Sequence, residues 1–197
     1  MKRLFAEILV ALGWKFNMNL PKDLKSFVFI GAPHTSNLDF FVSMAASYFL
    51  KRQTHFAIKD SWLKFPMNLI LKPLGALGID RKKMKSIGGA HTTDVMAELF
   101  KEHTDLVLMV SPEGTRSQNP HWKSGFYYIA KKAEVPIVVA YADYEKKEAG
   151  IGPIIYPTDF QQDMRTIMKF YQGKKGMRPE NFKLDERFSS LEDVQKE

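Results

Sequence analysis

The chain has no cysteine among its 197 residues. Disulfides, cysteine-ligated zinc, iron–sulfur clusters and a cysteine nucleophile are therefore excluded, and the composition fits a reducing compartment. The N-terminal apolar run, Leu4–Trp14, is too short to span a bilayer and is broken by Glu7. No clean small-x-small cleavage site follows it, which argues against a signal peptide. Internal repeats and low-complexity linkers are also missing. So are a Gly-x-Ser-x-Gly nucleophile elbow and nucleic-acid motifs such as an RNP1 run or a zinc finger.

What is present suits one domain with at most a short appendage. Hydrophobic residues make up 45% and charged residues 26%, so the chain is neither disordered nor a membrane bundle. The net charge is +7, and its placement matters more than its size. Between Lys51 and Lys85 stand nine basic residues opposed only by Asp60 and Asp80, which accounts for the whole excess. A concentrated basic segment points to an anionic partner: nucleic acid, phospholipid or a phosphorylated substrate.

Along the chain, Leu4, Phe5, Ile8, Leu9, Ala11, Leu12 and Trp14 recur at helical spacing. They form either an interfacial helix beside Lys2 and Arg3 or a helix packed on the core. Phe27–Ala32 reads as a strand buried on both faces and ends at Pro33. Ser36 can cap a helix running to Leu50, with Asp39 completing a capping box. Further strands are expected at Thr54–Ile58, Asp105–Val110, Pro136–Ala142 and Gly152–Tyr156. Helices are expected from Gly88/Gly89 to Glu102, over Trp122–Ala133, and from a Thr158 cap to Tyr171, where Gly173 ends it. Pro66 and Pro73 prevent one unbroken helix over Trp62–Leu77. This order predicts a single α/β domain with a mixed, largely parallel sheet flanked by helices. Its expected limits are an N-terminal amphipathic helix over 1–20, the domain over 21–175, and a polar, loosely ordered tail over 176–197.

Active sites of such sheets lie beyond the carboxyl ends of the strands. Two strand ends here carry reactive residues: Pro33-His34-Thr35-Ser36-Asn37-Leu38-Asp39 and Ser111-Pro112-Glu113-Gly114-Thr115-Arg116-Ser117. Asp39 can accept the Nδ1–H of His34 and leave Nε2 free to take a proton. With no protein nucleophile in view, such a pair would most simply activate a hydroxyl carried by the substrate. The spacing alone does not decide this, because His55 and Asp60 repeat it, Asp39 also suits a helix cap, and His34 also suits a loop position. Glu113-Gly114-Thr115-Arg116 offers a flexible backbone, a hydroxyl and a guanidinium suited to phosphate, or else a surface turn with a local Glu–Arg pair. Arg81 is either another phosphate contact or part of a solvated basic run.

His34-x4-Asp39, Gly75…Asp80-Arg81, Glu113-Gly114-Thr115-Arg116-Ser117 and Val135-Pro136-Ile137-Val138 stand in one order. That order resembles the four blocks of the glycerolipid acyltransferases, in particular the 1-acylglycerol-3-phosphate acyltransferase branch. Trp122-Lys123-Ser124-Gly125 is similar to the stretch after the third block. The resemblance covers about residues 27–157 and selects His34 over His55. It implies that His34 is the general base and Asp39 its orienter. It also implies that Arg81, Glu113, Gly114, Thr115 and Arg116 hold the acceptor's phosphate and glycerol. The implied donor is acyl-CoA or acyl-carrier protein, and no metal or other cofactor is implied. Pro33, Gly78, Ser111 and Val139 depart from the family's usual residues and point to a divergent subgroup.

The expected activity is acyl transfer from a thioester to lysophosphatidate, giving phosphatidate in phospholipid biosynthesis. An enzymatic alternative is another lysophospholipid or a lyso-aminolipid acceptor. A different class of alternative is a non-catalytic basic module for membrane or nucleic acid. Nucleic acid is the less expected partner, since charge is balanced outside residues 51–85. The expected location is cytoplasmic, at the inner face of the membrane, with the N-terminal helix and Trp62–Lys72 against an anionic surface.

Overall fold

The computed structural model describes residues 2–79 and 92–189. Helices are α1 (Lys2–Ala11), α2 (Asp39–Phe49), α3 (Asn68–Leu74), α4 (Thr92–Glu102), α5 (Gly125–Ala133) and α6 (Phe160–Tyr171). Strands are β1 (Lys15–Asn17), β2 (Phe27–Ala32), β3 (Thr54–Lys59), β4 (Ala76–Ile79), β5 (Val107–Val110), β6 (Ile137–Asp143) and β7 (Glu148–Ile155). All seven strands join one sheet in the order β1-β7-β6-β2-β5-β3-β4. Every neighbouring pair is parallel except β6 with β7. The sheet is therefore mixed and largely parallel, with helices on both faces.

Alternation along each strand builds the two cores. Val28, Ile30 and Ala32 face α4, α5 and α6, joining Leu108, Ile137, Phe126, Ile129, Ile167 and Met168. Phe27 and Phe29 face the other way, onto Val42 and Ala46 of α2, its C-cap Leu50, and Trp14 and Met18. A strand apolar on both faces must lie in the middle of the sheet, and β2 does. α1 packs on α2, where Phe5 meets Phe41 edge-on at 5.0 Å. Of α1, only Ala6 is fully buried, while Leu4, Ile8 and Val10, with Leu12 just beyond the helix, are exposed.

β1 and β4 add two strands to the five expected. Both are three or four residues long and too short to show a period of two. β1 pairs with β7, and β4 pairs with β3. Between β3 and α3, residues 60–63 form a turn of 3-10 helix, and Pro73 falls in the last turn of α3. Gly75 then turns the chain at φ +103°, and a Cβ there would stand 2.0 Å from the Thr54 carbonyl oxygen. Asp159 rather than Thr158 caps α6, its carboxylate accepting the Gln162 N–H at 2.8 Å. The basic run Arg81, Lys82, Lys83 and Lys85, and the glycines at 88 and 89, lie outside the described residues.

Part of the segment expected to be loosely ordered is packed down instead. Phe188 is buried in the core, with Phe182 and Leu184 against it. The clasp is Asp185, which is fully buried. It accepts the Trp122 N–H at 3.0 Å and two bonds from the Arg187 guanidinium at 2.6 and 2.9 Å. Burial works to raise the Asp185 carboxyl, but the Arg187 and Trp122 bonds outweigh it and hold it below the ordinary value. Arg187 also donates to the Trp122 carbonyl at 2.9 Å, and the indole N–H donates to the Lys183 carbonyl. Replacing Asp185 with Ala leaves a cation and a buried N–H without their acceptor. The expected loss in urea unfolding is about 3 kcal/mol, against no measurable loss for Glu186→Ala on the surface.

Candidate active site

Three adjacent parallel strands deliver the site. β2 lies between β6 and β5, with Ile30 opposite Val110 and Ala32 opposite Tyr141. Their carboxyl ends therefore release the chain side by side, His34 after β2, Glu113 after β5 and Tyr144 after β6.

His34 Nδ1 lies 3.2 Å from Asp39 Oδ2. The same oxygen accepts the backbone N–H groups of Thr35 at 2.7 Å and Ser36 at 2.9 Å. The other oxygen, Oδ1, accepts the Tyr144 hydroxyl at 2.7 Å. Burial would raise the Asp39 carboxyl, but the bonds from His34, Ser36 and Tyr144, with the His34 charge, hold it below the usual carboxylate range. Asp39 is also the first residue of α2, so a negative charge there faces the helix's free N–H groups. Leu38, not Ser36, stands at the N-cap of α2 and no side chain caps it, so the expected capping box does not form. Ser36 Oγ instead accepts the Leu38 N–H at 3.2 Å, one residue short of the helix. The one carboxylate thus holds the amides of the turn and meets the imidazole at once. His34 Nε2 has no hydrogen-bond partner among the described residues.

Glu113 is almost wholly buried, and its Oε1 accepts the His34 backbone N–H at 2.6 Å. It pins the histidine's main chain, and no Glu113–Arg116 ion pair forms among the described residues. Burial pushes its carboxyl up to about 7; the His34 N–H pulls the other way and the nearby Asp39 charge adds to the rise. Pro112 and Glu113 occupy the middle of a tight turn closed by Gly114 N–H to the Ser111 carbonyl at 3.2 Å. Gly114 has φ +66°, and a Cβ on it would stand 2.7 Å from Lys123 Cδ. Its amide is thus spent in the turn, and its lack of a side chain makes room for Lys123. Thr115 Oγ1 accepts the Ser117 N–H at 3.2 Å. Arg116 is exposed and carries no ion pair among the described residues. Arg81, the remaining residue expected in the site, lies outside the described residues.

His55 sits in β3, with Leu108 of β5 opposite. Its Nδ1 is buried without a hydrogen-bond partner, so no bond joins it to Asp60. Burial, with the His103 and Lys2 charges, lowers its basicity. The matched spacing therefore does not produce a matched pair.

Beside the Glu113 turn opens a cavity of about 440 Å³. Its walls are mainly apolar: Phe56 and Ile58 of β3, Met96 of α4, Met109 of β5, and Phe126 and Ile129 of α5. Ser111, Gly114 and Lys123 line the same cavity, and Ser111 Oγ is buried there with no partner. An apolar cavity with a few convergent polar groups suits a small-molecule site. Among the described residues, no cluster of three or more histidine, aspartate or glutamate side chains is arranged to hold a metal ion.

Lys123 and Tyr144 were not singled out as site residues from sequence. Lys123 had a signal in the Trp-Lys-Ser-Gly stretch, but nothing local showed it beside Gly114. Tyr144 had none, because its contact with Asp39 spans 105 positions.

A family model described as Acyltransferase matches residues 17–142. No curated protein and no solved structure matches the chain.

The buried Glu113 has a measurable consequence. Its folded pKa lies above the unfolded value of 4.5, so the folded state binds the extra proton. Stability from this group is fully present below 4.5 and is lost as pH rises through about 7. Glu113→Gln keeps an acceptor for His34 and carries no charge. The variant is expected to match the parent at pH 4.5 and to exceed it at pH 8, by up to roughly 3 kcal/mol in denaturant unfolding. Equal stability at both pH values would contradict it.

Proposed function

The chain belongs to the glycerolipid acyltransferase family, and from that premise we propose that it transfers a fatty acyl group from a thioester to the hydroxyl of lysophosphatidate, giving phosphatidate. The observation that carries the reading is the His34–Asp39 pair, with Nδ1 engaged and Nε2 without a partner among the described residues, at the carboxyl end of the central strand.

His34 Nε2 takes the proton of the acceptor hydroxyl as its oxygen attacks the thioester carbonyl. A carbon–oxygen bond forms, the carbonyl π pair moves to oxygen, and the tetrahedral intermediate collapses with cleavage of the carbon–sulfur bond. The proton on His34 passes to the leaving thiolate. Asp39, ionised and held by its donors, keeps the imidazole in the Nδ1–H tautomer and stabilises the transient imidazolium. The acyl chain occupies the apolar cavity, which is of a size usual for ligand sites, about 300–1,000 Å³. Lys123 and Arg116 offer cations to the acceptor phosphate, and Arg81 is assigned the same role from its place in the sequence. The donor is acyl-CoA or acyl-carrier protein.

Acceptor and product both partition into bilayers, and the exposed surface suits that. Leu4 and Ile8 of α1, Leu12 just after it, Phe41 of α2, and Trp62, Phe65, Leu69 and Ile70 around α3 are all solvent-exposed. Lys64 and Lys72 stand exposed among the last group. No helix among the described residues is long and apolar enough to cross a membrane. The reading is of peripheral attachment to the inner, anionic leaflet through these side chains.

Two experiments test this. In a mass-spectrometric transfer assay with both donors and a panel of lyso-acceptors, the parent should convert lysophosphatidate in preference to phosphate-free acceptors. His34→Ala should lose transfer by at least about a hundredfold while melting like the parent, and His55→Ala should retain it. Full activity in the His34 variant would end the mechanism. In vesicle sedimentation, the Trp62→Ala/Phe65→Ala pair should bind anionic vesicles at least about tenfold more weakly, losing roughly 25 cal/mol per Å² of apolar contact. Undiminished binding would remove this surface from the reading.

A further inference from the structure

Among the described residues, Tyr144 is the one side chain bonded to the Asp39 carboxylate that lies outside the strand-to-helix turn. Oδ2 of Asp39 is crowded by His34 Nδ1 and the N–H groups of Thr35 and Ser36. Oδ1 has the Tyr144 hydroxyl as its hydrogen-bond donor among the described residues, at 2.7 Å. The groups facing this carboxylate are therefore His34, Tyr144, two backbone amides and, by its field, Glu113.

The tyrosine is itself held. Its backbone N–H donates to the Lys175 carbonyl at 2.9 Å. Its ring meets buried Trp14 at 4.9 Å and 90°, and the Trp14 N–H is fixed on the Leu9 carbonyl of α1. Burial and the Asp39 bond push the phenol well above its ordinary range, so it stays a proton donor wherever the protein is folded.

A carboxylate anchored through one oxygen can still pivot about its Cβ–Cγ bond. Anchoring the second oxygen removes that freedom and fixes the direction of the Nδ1···Oδ2 contact. We propose that Tyr144 is a positioning residue of the His34–Asp39 pair, locking the carboxylate plane so that the imidazole stays in the Nδ1–H tautomer with Nε2 presented to the acceptor. This rests on the reading of His34 as the base, and it adds that the pair depends on a residue delivered by β6 and braced by the end of α1.

Tyr144→Phe tests it, because phenylalanine keeps the ring contact with Trp14 and deletes only the donor. The expected result is a kcat lower by roughly ten- to hundredfold, with KM for donor and acceptor unchanged. Long-range 1H–15N correlation spectra supply a second readout that does not need turnover. His34, assigned by its disappearance in His34→Ala, should be a single Nδ1–H tautomer in the parent and a mixture in Tyr144→Phe. Unchanged kcat with an unchanged tautomer would overturn the proposal. So would a raised KM with unchanged kcat, or a melting loss that alone accounts for the lower activity. If the parent shows no transfer, the reading of the enzyme fails, while the tautomer spectra still decide the role of Tyr144.

Discussion

A buried carboxylate must find hydrogen-bond donors or lose its charge. At Asp39 the donors come from two directions, and much of the site's geometry follows from that. The turn after β2 has to fold so that Thr35 and Ser36 present their amides, which sets where α2 begins. The end of β6 has to lie beside it, which requires the β2–β6 pairing and its register. A single satisfied charge thereby ties a local turn to the order of strands in the sheet.

The two buried acids of the site respond oppositely to one environment. Both pay for burial, but Asp39 gathers a ring nitrogen, two amides and a phenol, whereas Glu113 gathers one amide and feels Asp39 as a like charge. The outcome is one firmly ionised group and one poised near neutrality. Separation of this kind between neighbouring acids is typical of sites that move protons.

The central strand, the flanking helices and the two reactive strand ends were legible in the sequence, each for a local reason. β2 announced itself because a strand covered on both faces is apolar without alternation. His34 and Asp39 stood out because their spacing and their place after that strand agreed. What the sequence hid was non-local or too short to have a period. β1 and β4 are strands only because β7 and β3 offer them an edge. Asp159, rather than its neighbour Thr158, caps α6, a choice between two competent residues that only geometry makes. Lys123 reaches the Glu113 turn because Gly114 leaves space, and Tyr144 reaches Asp39 across most of the domain. The charge surplus read as a binding patch lies partly beyond the described residues, and Arg116, outside the basic segment, stands exposed two residues after the Glu113 turn.

The pairing of β1 with β7 carries a consequence for biosynthesis. Residues 15–17 are made well before the strand they hydrogen-bond to, which is completed only at residue 155. Until then β1 has no strand to pair with, and Trp14 beside it lacks the cover of Tyr144 and Ala149. Long-range closure of this kind is slow and exposes sticky surface in the interval. Among the described strands, the first to be made thus cannot pair until the last is made.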